Sequence, residues 1–203
     1  MRKLFRRMAA IALVVSCALL GMLIADRKRL EQDLIRLHVV AASDSTEDQA
    51  VKLQVRDALI ANLDEQLKNL TDVDQAKAYI QQYIPQLESI ANQVLDQVGS
   101  TDRARIRLTE EEFPLREYET FSLPAGVYQS LRVIIGDGDG QNWWCVVFPG
   151  LCYSATADGV EEMAVSAGFS DELANTLTLE DGYELRFFLL DCLGRVENFF
   201  HRG

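Results

Sequence analysis

Histidine and cysteine have the widest chemical range among the side chains of this sequence. The two histidines are His38 and His201, and neither stands in an HExxH motif; no GxSxG sequence is present either. These motifs place metal ligands on one helix face, or a nucleophile on a sharp turn. The four cysteines lack the CxxC spacing of structural zinc sites. The sequence therefore predicts no catalytic residue, no metal ion and no cofactor.

The acidic residues offer two further kinds of chemistry. A glycosidase needs two carboxyl groups held on either side of a sugar, but nothing in the pattern singles out such a pair. Asp137-Gly138-Asp139-Gly140 resembles the start of a calcium-binding loop. A carboxylate is required at the twelfth position of that loop, where this sequence has Phe148. Glycine and aspartate also suit a tight turn, so we interpret the segment as a hairpin loop.

Charge is distributed unevenly along the chain. Residues 1–29 contain seven of the 20 basic residues and one of the 31 acidic ones, which leaves a net charge of −17 on residues 30–203. Nucleic acids are bound through Lys and Arg side chains that neutralise phosphates. The acidic composition therefore excludes nucleic acid as a partner.

The first 29 residues have the composition of an export segment. Four basic residues lie within residues 1–7, and residues 8–24 contain no charge. An apolar run of this length falls between that of a cleaved signal peptide and that of a spanning helix. We expect residues 1–29 to be a signal peptide or a signal anchor that contacts the membrane through residues 8–24 if it is not cleaved. Residues 30–203 would form the exported domain.

Export makes disulfides possible. Three cysteines follow the export segment: Cys145, Cys152 and Cys192. A tight turn at Pro149-Gly150 would bring Cys145 to about 7–8 Å from Cys152 on the diagonal of a hairpin. That distance is marginal for a disulfide. We favour the pair Cys145–Cys152, with Cys145–Cys192 as the alternative.

Two long helices are predicted in the first half of the domain. Apolar residues recur at helical spacing over residues 48–69 and again after Thr71, with Gly99 as a stop. Pro85 falls inside the second pattern and should kink the helix or divide it near Ile84. Before the helices, Ile35–Ala41 alternates as a half-buried strand with His38 on its polar face, where we assign it no chemistry.

The second half has the alternation of strands. A hairpin core is predicted over residues 123–153, with Val133 opposite Trp143 and Leu131 opposite Cys145 on the core face. Consecutive strand residues point to opposite sides, so we expect Trp143 to be a core residue. The other face would present Trp144, Arg132 and Asn142 to a partner, because Trp and Arg anchor protein interfaces disproportionately. The alternative is that Trp144 stacks under Arg132 or is covered by another element.

The C-terminal tail, residues 159–203, is predicted to contain an irregular helix over residues 161–177 and one more buried strand over residues 184–190. The predicted fold class is therefore α+β. It has a mainly antiparallel β-sheet covered by two long helices, after an N-terminal apolar export segment.

Several short segments resemble one protein family. They run in the order Ala42-Ser43-Asp44-Ser45, Lys52–Asp57 (KLQVRD), Leu123-Pro124-Ala125-Gly126 and NWWCVVFP, with a later Leu-Cys. In this order, after an apolar N-terminus, they resemble the stage II sporulation protein R family over about residues 34–153. The tail and Cys192 match no motif of the family.

The resemblance implies a sporulation signal of an endospore-forming bacterium. Such a protein is made in the forespore and exported to the space between the forespore and mother-cell membranes. There it activates a membrane-embedded aspartic protease of the mother-cell membrane, which processes the precursor of sigma factor E. The family brings no catalytic residues. The alternatives are a passive membrane-anchored envelope protein and a cell-wall hydrolase.

Overall fold

The computed structural model describes residues 2–118, 122–149 and 185–201. Within them a helix and a strand are followed by two helices, then by five strands and a final helix. They are α1 (Arg2–Asp33), β1 (Ile35–Val40), α2 (Thr46–Leu67), α3 (Val73–Gln97), β2 (Ala104–Phe113), β3 (Arg116–Glu117), β4 (Ser122–Leu123), β5 (Gly126–Ile135), β6 (Asn142–Phe148) and α4 (Leu185–His201).

A four-stranded sheet in the order β2-β5-β1-β6 organises the domain, and β3 and β4 pair separately. The pairs β2–β5 and β1–β6 are antiparallel, whereas β1 and β5 are parallel. The predicted α+β class, with a mainly antiparallel sheet and two long helices, is confirmed.

The predicted hairpin between β5 and β6 is wrong, because β1 lies between them. Val39 of β1 pairs with both Val133 and Trp143, which the hairpin would have placed opposite each other. Val133 and Trp143 are thus aligned with each other and lie on the same face, as predicted, although β5 and β6 are not neighbouring strands. Residues 136–140 span the width of the inserted strand. The loop is held there by hydrogen bonds from Gly140 N to Ala41 O, 3.0 Å, and from Asp139 N to Ala42 O, 3.2 Å.

The central position of β1 also changes its predicted environment. All six of its residues are buried, because strands flank it on both sides and other elements cover both faces. His38, expected on a solvated face, is only 5% exposed. Alternation along the strand correctly separates its two faces, but it does not reveal that the second face is covered.

Helices α2 and α3 cover one face of the sheet. Ser45 caps α2 by accepting a hydrogen bond from Asp48 N, and Asp72 caps α3 in the same way through Gln75 N. Pro85 lies inside α3 but does not divide it. The core between helices and sheet is entirely apolar on the strand side, with Ile35, Leu37, Val39, Leu131, Val133, Cys145 and Val147 among its buried residues.

Helices α1 and α4 lie on the other side of the sheet. The buried strand predicted over residues 184–190 is wrong for the described residues, since helix α4 begins at Leu185. A short apolar run suits either structure, and the helical spacing appears only when residues 188–200 are taken together. The helix predicted over residues 161–177 lies outside the described residues.

Helix α1 contains the apolar N-terminal segment and continues into the domain. By length and composition it can cross a membrane, a property that signal sequences share. Its last turns belong to the folded domain, because Leu30 and the following Leu34 are completely buried in a second apolar cluster with Phe113, Tyr128 and Leu190.

Candidate functional site

A row of four side chains crosses the sheet on the face opposite α2 and α3. His38 pairs with Trp144 on one side and with Arg132 on the other, and Arg132 pairs in turn with Arg107. We call Trp144, His38, Arg132 and Arg107 the cross-strand row. Its exposure rises from His38, which is buried, to Arg107, which is exposed.

His38 is the hydrogen-bonding centre of the row. Its Nδ1 lies 3.2 Å from Glu111 Oε2, and its Nε2 lies 2.7 Å from Asn142 Oδ1. Both ring nitrogens are therefore engaged by neighbouring side chains. The ring also stacks on Trp144 at 3.8 Å between centroids, with an interplanar angle of 15°. His38 thus fixes the positions of a tryptophan, an acid and an amide at once.

Glu111 links His38 to Arg132, whose guanidinium lies 3.0 Å from Glu111 Oε1. Burial of the Glu111 carboxyl group acts to raise its pKa, but the hydrogen bond from His38 and the charges of His38 and Arg132 outweigh burial. The net effect is a pKa below the ordinary value, so Glu111 is a carboxylate at neutral pH.

The two tryptophans differ from the sequence prediction in exposure. Trp143 lies on the helix face as predicted, but at its margin, where it is 39% exposed beneath Arg56 at 4.2 Å. Trp144 is only partly exposed, and it packs edge-on against Phe113 at 4.7 Å in addition to stacking on His38. Trp143 is therefore not the core residue that alternation predicted, because the face on which it lies ends there.

The indole N–H of Trp144 is buried and has no acceptor within the described part of the chain. Trp nitrogens that are buried normally find a partner. The guanidinium of Arg116 lies over the ring at 5.4 Å. The centre of the site is therefore closely packed, and it contains one buried donor without an acceptor in the described part of the chain.

The rim of the site is positively charged. Arg105, Arg107 and Arg132 all project from the open part of this face, and Asn142 is exposed on β6 at the opposite edge of the sheet. A cluster of three arginines is unusual on a domain whose net charge is −17. Arginine forms bidentate hydrogen bonds with carboxylates. The arrangement can therefore bind an acidic segment of a partner.

A buried arginine lies beside the row, two residues before His38 on the same face of β1. Arg36 is completely buried, with its guanidinium over Phe113 at 4.0 Å and over Tyr128 at 4.9 Å. Its Nη2 donates to the Tyr118 hydroxyl at 3.0 Å. Cation–π contacts stabilise a guanidinium that has lost its water. Burial also raises the pKa of the Tyr128 hydroxyl far above its ordinary value, so that side chain stays neutral.

His38 itself is enclosed by its neighbours. Both of its ring nitrogens are engaged, and the residue is only 5% exposed. Within the described residues, no three His, Cys, Asp or Glu side chains are grouped to hold a metal ion. The part of the row that is open to solvent is its end at Arg107.

The three predicted partner-binding residues come together around one residue that the prediction left out. Trp144 and Asn142 contact His38 directly, and Arg132 reaches it through Glu111. Pairing between positions about a hundred residues apart carries no local sequence signal, so His38 could not be placed between them. Alternation along β2 does put Arg105, Arg107 and Glu111 on one face. This pattern is the feature of the sequence that could have assigned them to the site.

The predicted disulfide involves Cys145 and Cys152. Cys145 is disulfide-bonded, and Cys17 and Cys192 are free thiols. Cys152 lies outside the described residues.

Three of the short family-like segments, those that contain Asp44, Lys52 and Asn142, meet at the start of β6. Asp44 accepts a hydrogen bond from Gln141 N at 2.8 Å, and Lys52 donates to Gln141 O at 3.1 Å. Burial lowers the pKa of the Lys52 ammonium group below its ordinary value. These contacts anchor the strand that carries Asn142 and Trp144, which explains how distant segments support one site.

Two comparisons with known proteins agree. The profile of the family described as stage II sporulation protein R matches residues 31–158. A curated relative, the stage II sporulation protein R of Bacillus subtilis (strain 168), is 29% identical over 177 residues, which is 78% of this chain and 79% of the relative. No solved structure gives a significant match.

Proposed function

Because the chain belongs to the stage II sporulation protein R family, we propose that it is the intercompartmental signal for sigma factor E. In this proposal the forespore exports the protein into the space between the forespore and mother-cell membranes. The domain there activates a membrane-embedded aspartic protease, which cleaves the precursor of sigma factor E. The family assignment itself supports a role in sporulation, and the apolar helix α1 fits export or anchoring.

The observation that carries the proposal is the arginine rim around the cross-strand row. Binding energy in protein interfaces is concentrated in a few Trp, Tyr and Arg side chains. Here Trp144 is held between His38 and Phe113. The half-buried Arg132 and the exposed Arg107 lie on β5 and β2, at the other end of the row. An activator needs such a preorganised surface and needs no reactive group. We infer that the contacted part of the protease carries carboxylates.

The alternatives lack a comparable observation. A cell-wall hydrolase would need an accessible acid or base, and the Glu111–His38 pair is engaged internally. A passive envelope protein has no use for a clustered positive rim on an acidic domain, although α1 alone would anchor it.

The experiment co-produces the full chain with the membrane protease and the sigma factor E precursor in a non-sporulating host. Three forms are compared with a host that lacks the protein: the unchanged protein, Arg107→Glu, and Lys68→Glu. Lys68 is an exposed residue just after α2 on the far side of the domain, and its substitution changes the net charge by the same amount. Export and folding are verified for each form.

We expect precursor processing with the unchanged protein and with Lys68→Glu. Processing should fall at least about fivefold with Arg107→Glu, as for the loss of about 1 kcal/mol from an interface contact. Unchanged processing without the protein would overturn activation, and absence of processing with all exported forms would do the same. Equal processing with both variants would refute the arginine rim as the contact surface.

A further inference from the structure

Helix α4 has two chemically different faces. One face is tied to the sheet: Asp191 accepts a hydrogen bond from Ala125 N at 3.0 Å, and Asn198 Nδ2 donates to Phe113 O at 3.1 Å. Leu190 is completely buried on this side. A Cβ at Gly194 would overlap Ala125 O, so glycine permits the close approach of the helix. This face fixes the orientation of α4.

The opposite face is apolar and uncovered. Its residues recur at helical spacing, and the two terminal ones, Phe199 and Phe200, are 75% and 74% exposed. Phe188 and Val196 are also exposed, at 49% and 55%. A contiguous stripe of this kind marks a contact site, whereas single exposed apolar residues are common. The remaining members of the stripe are Leu189, Cys192 and Leu193.

The stripe continues onto the apolar part of α1. Together the two helices line a groove of about 790 Å³, to which α1 contributes apolar residues from Met8 to Leu23 and α4 contributes Leu189, Cys192, Leu193 and Val196. An ion pair between Arg27 and Glu197 joins the two helices just beyond the apolar segment of α1. The groove and the exposed stripe therefore form one surface.

We propose that this surface is seated in the lipid bilayer, with α4 lying in the membrane interface beside the point where α1 leaves the hydrocarbon layer. The argument for lipid as the occupant is continuity. The most apolar stretch of α1 has none of its residues buried within the protein, and α1 is long enough to span. A surface that is continuous with that stretch therefore also contacts the lipid.

The charged residues fit the same position. Lys28 and Arg29 follow the apolar segment of α1, and Arg195 flanks the apolar stripe of α4 with its side chain 64% exposed. Basic residues at this level face the phosphate groups of lipids, and an amphipathic helix with Phe and Leu on its lower face lies along the boundary. The sheet and its arginine rim are then held at a set orientation to the membrane.

The test uses the full chain in bilayer nanodiscs made of phosphatidylethanolamine and phosphatidylglycerol. Cys17 and Cys192 are replaced by serine, and one cysteine is introduced for an environment-sensitive nitrobenzoxadiazole label. The test position is Phe199→Cys. The control is Val98→Cys, an exposed apolar position, 39% exposed, at the end of α3. Phe200→Cys repeats the test at the neighbouring position.

We expect the labels at 199 and 200 to emit at shorter wavelength than the label at 98. Lipids with brominated chains should quench them several-fold more than the control. Equal emission and equal quenching at all three positions would refute the proposal. A short emission wavelength without quenching by brominated lipid would also refute it, because the stripe would then be covered by a second copy of the chain or by another protein segment.

Discussion

The two faces of the central sheet are made from alternate residues of the same strands, yet their chemistry is opposite. On the helix face, Leu37 and its neighbours pack only against apolar side chains of α2 and α3. On the other face, the next residues along β1 are Arg36 and His38, which are buried to nearly the same degree. The two faces therefore do not differ in burial. They differ in whether their side chains form hydrogen bonds.

The comparison indicates that one face of the sheet serves stability and the other serves recognition. An apolar face needs only volume and shape, and it tolerates replacement by other apolar residues of similar size. A polar buried face costs free energy unless its groups are paired. Here the pairing is directed outward, from His38 through Glu111 to Arg132, and it ends at the exposed rim. We infer that the helix face stabilises the fold and that the second face presents a surface.

The largest expected effect distinguishes the two tryptophans. Trp144→Ala should lower the free energy of unfolding by about 3–5 kcal/mol, because it removes the partner of both His38 and Phe113. Trp143→Ala should cost about 1 kcal/mol, since that ring is partly exposed and mainly contacts Arg56. Urea denaturation of the full chain in mild detergent, followed by circular dichroism, measures both. A greater loss for Trp143→Ala would restore the assignment expected from the sequence.

A second pair of substitutions compares the faces at adjacent positions. Leu37→Ala should cost about 2–5 kcal/mol through the cavity that it leaves in the helix-face core. Arg36→Met should cost less than about 2 kcal/mol, because the buried charge is removed along with two N–H groups, Nε and Nη1, that have no acceptor in the described part of the chain. The same denaturation experiment applies. If Arg36→Met proves as costly as Leu37→Ala, the arginine stabilises the domain as well as shaping its surface.

The smallest expected effect is the pH dependence of the contribution that Glu111 makes to the free energy of unfolding. The pKa of this group is lower in the folded protein than its ordinary value of 4.5, so its contribution is complete above that value and is lost as the pH falls below it. Glu111→Gln should therefore lower the free energy of unfolding by about 2 kcal/mol at pH 7. The difference from the unchanged protein should shrink between about pH 5 and pH 3. A difference that stays constant over this range would show that the carboxylate charge has no part in holding His38 and Arg132.

Much of the local structure could be predicted from the sequence. The limits of α2 and α3 follow from caps and apolar spacing, as Ser45 and Asp72 illustrate. Alternation correctly assigned Cys145 to the core face. Each of these predictions depends on side chains within one element or on the period of the chain, both of which are local properties.

The neighbours of β1 could not be predicted in this way. Every residue except proline offers the same backbone N–H and C=O groups. The pairing of Val39 with Trp143 therefore leaves no recognisable pattern in the sequence. The sequence by itself determined helices α2 and α3, the two faces of the sheet and the apolar character of the N-terminal segment. Only the tertiary structure decided that β1 lies between β5 and β6. That placement buries His38 beside Trp144, because contacts between residues a hundred positions apart exist only once the sheet has formed.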